Sequence, residues 1–406
     1  MNALYENLFI LAVFVLLYSL VSKRIGRLWL SGPIVFIVFG LVTGSVGLGL
    51  LSFQINGEQL RVLAELTLAI VLFTDASGAN LRVLERNRQI PIRLLLVGLP
   101  LTIILGFAAG RLVLPGLTLL EIAILATMLA PTDGALGSTV VTDSRVPAAI
   151  REGLNVESGL NDGFCVPILL LLLTLAGEAQ TVQGGATLAF SLVLREIGIG
   201  LGVGLVITTF GAQTLKASVA RGWISGAWRQ VIVVALALSC FALAQVLGGS
   251  GFIASFSGGL LFGALAKRHT EELLGAAEGI GNTFSLATWV VFGAVFVGPA
   301  LGHLRWAVVA YAVLSLTVVR MLPVFLSLLG SEVPTSGALF MGWFGPRGLA
   351  SIVFIVMVVD THTPGQYTLA MTVACTVCLS ILAHGISANP LIDALARRSG
   401  NEASRS

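Results

Sequence analysis

This sequence is poor in charged residues. Only 11% of its 406 residues are Asp, Glu, Lys or Arg, whereas 56% are hydrophobic. Soluble domains carry about 25% charged residues, so the composition excludes a soluble fold and indicates an integral membrane protein. The net charge is +3 and no segment holds a long basic run, which excludes a nucleic-acid-binding surface.

Cysteine and the familiar catalytic motifs are equally sparse. There are four cysteines, all in apolar segments, and Cys375 and Cys378 have C-x-x-C spacing. No second pair and no nearby histidine completes a zinc site, so buried, apolar cysteines are expected. An H-E-x-x-H motif is absent and no Ser-His or Asp-Asp constellation is visible along the chain, which argues against a membrane-embedded enzyme. No resident cofactor is expected.

Apolar runs make up most of the chain, and a run of about 20 apolar residues spans a bilayer as a helix. The first run precedes its basic residues and lacks an evident cleavage site, so we expect a retained helix rather than a removed signal. The ninth run is short and rich in glycine, so its pattern indicates a transmembrane helix less strongly than the other runs do. The sequence predicts an all-α polytopic membrane protein with about thirteen transmembrane helices, at 5–22, 31–51, 58–76, 92–114, 118–141, 148–176, 186–215, 228–247, 251–266, 273–299, 304–329, 335–359 and 366–388.

Basic residues are concentrated in the loops on one side of the membrane. Loops after even-numbered helices hold little beyond Arg61, Arg111 and Arg305. Because cytoplasmic loops are enriched in Lys and Arg, we expect a multi-pass protein of the plasma (inner) membrane, with the N-terminus outside and the C-terminus inside. Residues 1–396 would form one transport unit and 397–406 a short cytoplasmic tail. The loops after odd-numbered helices and the tail hold Lys23, Arg24, Arg27, Arg82, Arg86, Arg88, Arg93, Arg145, Arg151, Lys216, Arg221, Arg229, Lys267, Arg268, Arg397, Arg398 and Arg405.

Two predicted helices are interrupted in a similar way. The fifth contains Pro-Thr-Asp-Gly at 131–134, and the twelfth contains Gly, Pro and Arg residues between 342 and 348. The two helices are seven apart and therefore cross the membrane in opposite directions, so helices 1–6 and 8–13 would form inverted six-helix repeats. Paired interrupted helices mark the central site of a transporter. The alternative is that these glycines only allow close helix packing.

Ionisable side chains accompany these interruptions. Asp133 lies in the fifth segment, and Glu157 and Asp162 lie in the sixth, next to Asn161. A charge at membrane depth costs at least ~2.5 kcal/mol and usually marks an ion or proton path.

Five motifs occur in order along the chain: P-T-D-G (131–134), N-V-E-S-G-L-N-D-G (155–163), R-M-L-P-V-F (320–325), W-F-G-P-R-G (343–348) and H-G-I-S-A-N-P (384–390). Together they resemble the cation/proton antiporter family 1, specifically its NhaP-type sodium/proton antiporters, over nearly the whole chain. The resemblance implies thirteen helices in inverted repeats, a homodimer and an elevator-like mechanism. The moving core would comprise about 92–176 and 304–388, and the dimer scaffold about 5–76 and 186–299.

The resemblance also implies roles for individual residues. Asp162 would be the shared ion and proton carrier. Gly134 stands where the family commonly has proline, and Asp75 ends the run L-F-T-D where some relatives have an ion-binding L-F-E, so the role of Asp75 stays open. The other residues that match the family pattern are Asn161, Thr132, Asp133, Glu157, Ser158, Arg320 and Arg347.

The chemistry of these side chains suits an alkali cation, which needs several hard oxygen ligands. Backbone carbonyls near Thr132 and side-chain oxygens of Asp133, Ser158 and Asp162 would supply them. Ser158 and Asp162 are four residues apart and share one helix face. The expected cation is Na⁺, with Li⁺ or K⁺ as alternatives, and it would be cargo rather than a cofactor.

A count of the charges expected at membrane depth leaves one acidic residue without a basic partner. Asp133 and Glu157 could pair with two arginines, and our preferred partner for Glu157 is Arg347, with Arg320 as the competitor. Asp162 is left over. Since burial favours the neutral form of a carboxyl group, Asp162 would cross the membrane only with a proton or a cation, and transport would be obligatory exchange.

Two further expectations concern charge balance. Asp133 and Arg347, each beside a break, would neutralise the dipole ends of the broken helices. Neutral Asn161, where related antiporters have a second aspartate, suggests electroneutral exchange of one cation for one proton; alternatively, Asn161 only holds the shape of the site.

Two other transport functions fit the broken helices less well. A sodium-coupled symporter would have to bind an organic anion beside the unpaired Asp162 carboxylate, and a channel would show a filter sequence and need no titratable carrier.

Overall fold

The structure is a computed structural model that describes residues 2–25, 32–51, 57–78, 89–178, 186–266, 270–302, 305–359 and 364–403. The described part of the chain contains helices and connecting segments but no β-strand. The helices are α1 (Asn2–Ile25), α2 (Gly32–Thr43), α3 (Gly57–Gly78), α4 (Gln89–Val113), α5 (Leu119–Met128), α6 (Ser138–Val141), α7 (Ala148–Glu178), α8 (Ala186–Ala220), α9 (Gly226–Val246), α10 (Gly251–Ala266), α11 (Thr270–Phe292, continued at 293–302), α12 (Trp306–Leu316), α13 (Val318–Ser327), α14 (Thr335–Trp343), α15 (Leu349–Val359) and α16 (Gln366–Ala403).

Each of the thirteen predicted transmembrane segments contains helical structure among its described residues. Seven helices are long and apolar enough to cross a membrane, and five shorter apolar helices accompany them among the described residues. The all-α polytopic fold is therefore confirmed, while the count of thirteen crossings and the repeat relation stay predictions. Several residues behind the predicted orientation lie outside the described residues: Arg27, Arg82, Arg86, Arg88, Lys267, Arg268 and Arg405.

Two long helices each contain one wider π-helical turn, at Leu94–Gly98 in α4 and at Gly293–Val297 in α11. In both, the residue after the turn donates its N–H to the carbonyl five residues earlier, and a proline follows at 100 or 299. Proline has no N–H to donate, so each proline follows a wide turn, where the helical hydrogen-bond pattern is already irregular.

The predicted eleventh helix is divided, because the backbone at Thr317 leaves the helical region (φ −107°, ψ −94°) between α12 and α13. The last helix is longer than predicted. It continues through Pro390 to Ala403, beyond the predicted end at 388 and into the segment predicted as a tail.

The weakest predicted helix, α10, packs along both α3 and α8. The Ser77 hydroxyl of α3 donates a hydrogen bond to the Gly259 carbonyl of α10 (3.0 Å). A Cβ at Gly259 would lie 2.9 Å from the Phe73 Cα. The glycines that weaken the helix signal of α10 therefore permit its close approach to α3.

One charged contact links the loop after α6 to the last helix. Arg145 pairs with Asp143 (2.6 Å) and reaches Asp393 on α16 (2.5 Å). The hydrogen bonds from Arg145 lower the pKa of Asp143 to about 2. Asp143 therefore stays ionised throughout the physiological pH range.

We expect Gly259→Ala to destabilise the protein by about 1–3 kcal/mol, because the new methyl group overlaps backbone atoms of α3 that cannot move aside. The measurement is the thermal unfolding midpoint in detergent. Gly202→Ala on α8 is the matched control, since its Cβ would meet no atom within 4 Å. Equal midpoints for the two variants would contradict the close packing of α3 and α10.

Candidate functional site

Two non-helical segments meet at the centre of the site. The chain is non-helical at 129–137, between α5 and α6, and again at 344–348, between α14 and α15. The backbone N–H of Asp133 donates a hydrogen bond to the Pro346 carbonyl oxygen (2.8 Å). This bond satisfies one backbone donor in the first break and one backbone acceptor in the second. Non-helical backbone at membrane depth needs such partners within the protein.

The Asp133 carboxylate binds both interrupted segments. One oxygen accepts from the N–H of Leu136 (3.0 Å), and the other accepts from the N–H of Leu349 (2.8 Å), the first residue of α15. A Cβ at Gly348 would overlap this second oxygen, so the close approach requires glycine. A helix N-terminus carries partial positive charge, and Asp133 is compensated by the N-terminus of the opposite broken helix.

A second pair of hydrogen bonds holds the same crossing. The Ser351 hydroxyl, in the first turn of α15, donates to the carbonyl of Met128 (2.8 Å), the last residue of α5. The N–H of Arg347 donates to the Ser380 hydroxyl of α16 (2.7 Å). Residues at the ends of α5 and α15 therefore cap one another, and α16 supports the second break.

Glu157 on α7 forms a buried, bidentate ion pair with Arg320 on α13. The two bonds measure 2.5 and 2.7 Å, and both side chains are only 1% exposed. The preferred prediction, that Glu157 pairs with Arg347, is therefore wrong, and the competing partner Arg320 is the correct one. The guanidinium fork of Arg320 meets both carboxylate oxygens, which is the strongest geometry for such a pair.

Arg347 has no carboxylate partner among the described residues. It is fully buried, one terminal nitrogen donates to the Gly345 carbonyl (2.7 Å), and the other two guanidinium nitrogens have no hydrogen-bond partner in the described structure. The prediction of two ion pairs among the four charges is therefore also wrong. Arg347 follows the C-terminal end of α14, where partial negative charge favours a cation, and the N-terminus of α15 replaces the arginine expected beside Asp133.

The polar residues of α7 face the first break. The Asn161 amide nitrogen donates to the Thr132 hydroxyl (2.7 Å), while its buried carbonyl oxygen has no partner in the described structure. The Ser158 hydroxyl lies 2.9 Å from the position that a Cβ at Gly134 would occupy. Thr132, Ser158 and Asn161 are thus brought together, as the motif spacing suggested.

Asp162 is the buried carboxylate that receives no compensation. Its side chain is 7% exposed, and within the described residues it makes neither a hydrogen bond nor an ion pair. The negative charges of Asp133 and Asp75 act on it. Among the described residues no group of three or more His, Cys, Asp or Glu side chains is arranged to hold a metal ion. The oxygens that converge here come instead from a carboxylate, an amide and hydroxyls, which are hard ligands.

Asp75, whose role the sequence left open, lies beside this group. Its carbonyl oxygen is 3.3 Å from the position that a Cβ at Gly159 would occupy, one turn before Asp162 on α7. Its side chain is exposed. Asp75 therefore lies about one helical turn of α7 away from Asp162.

The site also contains residues that the sequence did not single out as functional. Ser380 and His384, four apart on α16, are both buried. The His384 ring nitrogens lie 2.7 Å from the Ser380 carbonyl and 2.7 Å from the carbonyl of Trp343, the last residue of α14. Their spacing on one helix face was the available signal. What they contact, the broken helix, became apparent only in three dimensions.

Comparison with known proteins identifies the class. Residues 9–394 match the family model described as "Sodium/hydrogen exchanger, transmembrane". The chain belongs to this family of membrane transporters, and the resemblance to NhaP-type antiporters is confirmed.

Individual relatives agree with this placement. The chain is 26% identical to the K(+)/H(+) antiporter NhaP of Alkalimonas amylolytica, over 92% of this chain and 63% of the relative. It is 24% identical to the K(+)/H(+) antiporter NhaP2 of Shewanella sp. (strain MR-4), over 93% of this chain and 64% of the relative. The chain thus spans less than two thirds of the length of these relatives.

A solved structure shares the fold. The sodium proton antiporter MjNhaP1 from Methanocaldococcus jannaschii at pH 8 superimposes with a TM-score of 0.78, covering 94% of this chain and 99% of that one, at 19% sequence identity.

We expect Glu157→Gln to destabilise the protein by about 3–5 kcal/mol, because it leaves the buried Arg320 charge without a partner. The double variant Glu157→Gln/Arg320→Gln should regain part of that loss, as measured by the unfolding midpoint in detergent. Each double variant is compared with its two single variants: the coupling energy should be large for Glu157 with Arg320 and much smaller for Glu157 with Arg347, the matched control. Equal coupling energies in the two cycles would contradict the ion pair described above.

Proposed function

We propose that this chain is a secondary antiporter that exchanges a monovalent cation for a proton across the membrane, with Asp162 as the shared carrier. The single observation that carries the proposal is the lack of compensation at Asp162, beside an acid held by a helix end and another held by an arginine. Na⁺ is the first candidate, and the K(+)/H(+) names of two relatives make K⁺ an equal one; Li⁺ is a further alternative.

The carrier role follows from the cost of an unpaired charge in a poorly polar environment. Asp162 becomes neutral either by taking a proton or by binding a monovalent cation. When only these two forms move between the two sides of the membrane, each cation carried in one direction is exchanged for a proton carried in the other. Exchange is then obligatory, and neither ion leaks.

The ligands proposed for the cation are the oxygens that remain available around Asp162. The Asn161 carbonyl oxygen and an Asp162 carboxylate oxygen are buried and have no hydrogen-bond partner in the described structure. The hydroxyls of Thr132 and Ser158 border the same break. Asp133 already accepts two backbone hydrogen bonds, and it adds negative charge that attracts the cation.

The finer features of the proposal extend the family pattern. We place the chain in the plasma (inner) membrane as a homodimer, with the N-terminus outside. A core of about 92–176 and 304–388 would move as an elevator against a scaffold of about 5–76 and 186–299. The hydrogen bonds between the two breaks support this division, because they lie entirely within the proposed core.

In everted vesicles with an imposed proton gradient, added cation should dissipate the gradient in the wild type. Asp162→Asn should abolish this, because an amide neither releases a proton nor neutralises a cation. Asp143→Asn should retain it, since Asp143 is a partly exposed loop carboxylate with a pKa of about 2 that lies outside the site. Na⁺, K⁺ and Li⁺ are compared separately, and normal exchange by Asp162→Asn with every cation would disprove the carrier assignment.

With one neutral amide and one carboxylate at 161 and 162, we expect electroneutral exchange. Collapse of the membrane potential with the permeant anion thiocyanate should leave the wild-type rate unchanged. Asn161→Asp adds a second titratable group, so its rate should become sensitive to the potential. A wild-type rate that follows the potential would refute one-for-one exchange.

A further inference from the structure

We propose that Glu278 on α11 is a cation-recruiting residue, which attracts the cation to Asp75 and thereby to the site at Asp162. This inference rests on the proposed antiport function and adds a residue that determines apparent affinity. Glu278 and Asp75 lie on two helices of the proposed scaffold, whereas Asp162 and Asp133 lie on the proposed core.

The packing of α11 on α3 brings Glu278 to the level of residues 74 and 75 on α3. Near one end of the contact, the Cβ position at Gly78 lies 3.9 Å from Leu274 Cδ1, and near the other, the Cβ position at Gly281 lies 3.7 Å from Val71 Cγ2. Residues 274, 278 and 281 share one face of α11, and residues 71, 75 and 78 share one face of α3. The two helices run antiparallel, so the register 274–78 and 281–71 places residue 278 level with residue 74, which is the neighbour of Asp75 in the chain.

Both acids are accessible, although each is on an apolar helix. Glu278 lies eight residues, or about 12 Å, from the start of α11, and its side chain is exposed, as is that of Asp75. Within the described part of the chain neither forms an ion pair with a basic residue. The acids therefore follow one another from the exposed residues Glu278 and Asp75 to the buried Asp162.

The series of acids leads to buried side-chain oxygens on α7 that have no partner in the described structure. Gly159 of α7 faces Asp75, and Asp162 follows one turn later on the same side of α7. Asp162 and Asn161 are more than nine-tenths buried, and each has a side-chain oxygen without a hydrogen-bond partner in the described structure. A hydrated cation drawn to Glu278 and Asp75 would therefore reach hard ligands that are otherwise unsatisfied.

The physical effect of such a residue is electrostatic. A cleft lined by one sign of charge raises the local concentration of the opposite ion, and this attraction weakens as salt screens it. Removal of one such charge should therefore raise the apparent KM for the cation and leave the maximal rate nearly unchanged. The rise should be largest at low ionic strength.

The test uses everted vesicles, in which the predicted orientation exposes this surface to added Na⁺, K⁺ or Li⁺. KM is measured at a total ionic strength of about 50 mM and again at about 300 mM, held constant with choline chloride. We expect Glu278→Gln to raise KM about three- to tenfold at the lower value and less than about twofold at the higher. Glu278→Asp should remain near the wild type, and Glu278→Lys should exceed Glu278→Gln.

Glu332→Gln controls for general surface charge, since Glu332 is exposed in the loop between α13 and α14. A second approach starts from folded protein: Glu278→Cys is labelled with a negatively or a positively charged methanethiosulfonate, with the wild type as background for its own cysteines. The negative label should lower KM and the positive label should raise it. Failure of both labels to react would show that residue 278 is inaccessible and would overturn the inference.

The inference is also overturned if Glu278→Gln has the wild-type KM at low ionic strength, or if its KM rise does not depend on salt. Either result alongside active wild type and inactive Asp162→Asn leaves the antiport proposal intact. Loss of exchange in the wild type, or its persistence in Asp162→Asn, instead disproves the proposed function itself.

Discussion

Uncompensated charge is expensive inside a membrane protein, and the three acids near the crossing of the two breaks differ in how their charge is compensated. Glu157 is matched by the guanidinium of Arg320, and Asp133 by backbone N–H groups that include the first of α15. Asp162 has neither form of compensation in the described structure. The proposed exchange depends on this difference, because a side chain that is neutral only when loaded couples occupancy to movement.

Much of the fold could be predicted from the sequence, because the length of each apolar run indicates a membrane helix and the proline and glycine residues within it indicate a break. The breaks at 129–137 and 344–348 follow from proline and glycine beside charge, and both are present. Segment 251–266 was the weakest prediction, although it packs along α3 and α8, because glycine lowers a hydropathy signal while it improves packing. The division at Thr317 and the continuation of α16 through Pro390 had no signal in composition.

The members of the site could be predicted from motifs, but their contacts could not. The count of charges considered only pairs of oppositely charged side chains. It therefore predicted an arginine beside Asp133. The separate helix-dipole prediction for Asp133 did include a helix end, but which helix supplies that end depends on the fold. Choosing between Arg320 and Arg347 for Glu157 likewise required three dimensions, since both arginines lie far from it in sequence. The relation of Glu278 to Asp75 is of the same kind, because it arises from the register of two packed helices.

The hydrogen bonds Asp133–Leu349, Asp133–Pro346 and Ser351–Met128 brace the two interrupted helices against each other. A junction held by these hydrogen bonds would move as a unit: its position relative to the rest of the protein would change, but the distances within it would not. The distances that discriminate one alkali ion from another would then be equal on either side of the bilayer, and the protein would have the same ion preference in both directions. Under the proposed mechanism, substitutions in the flanking scaffold would alter turnover, whereas selectivity would respond to changes in the brace and in the α7 oxygens that face it.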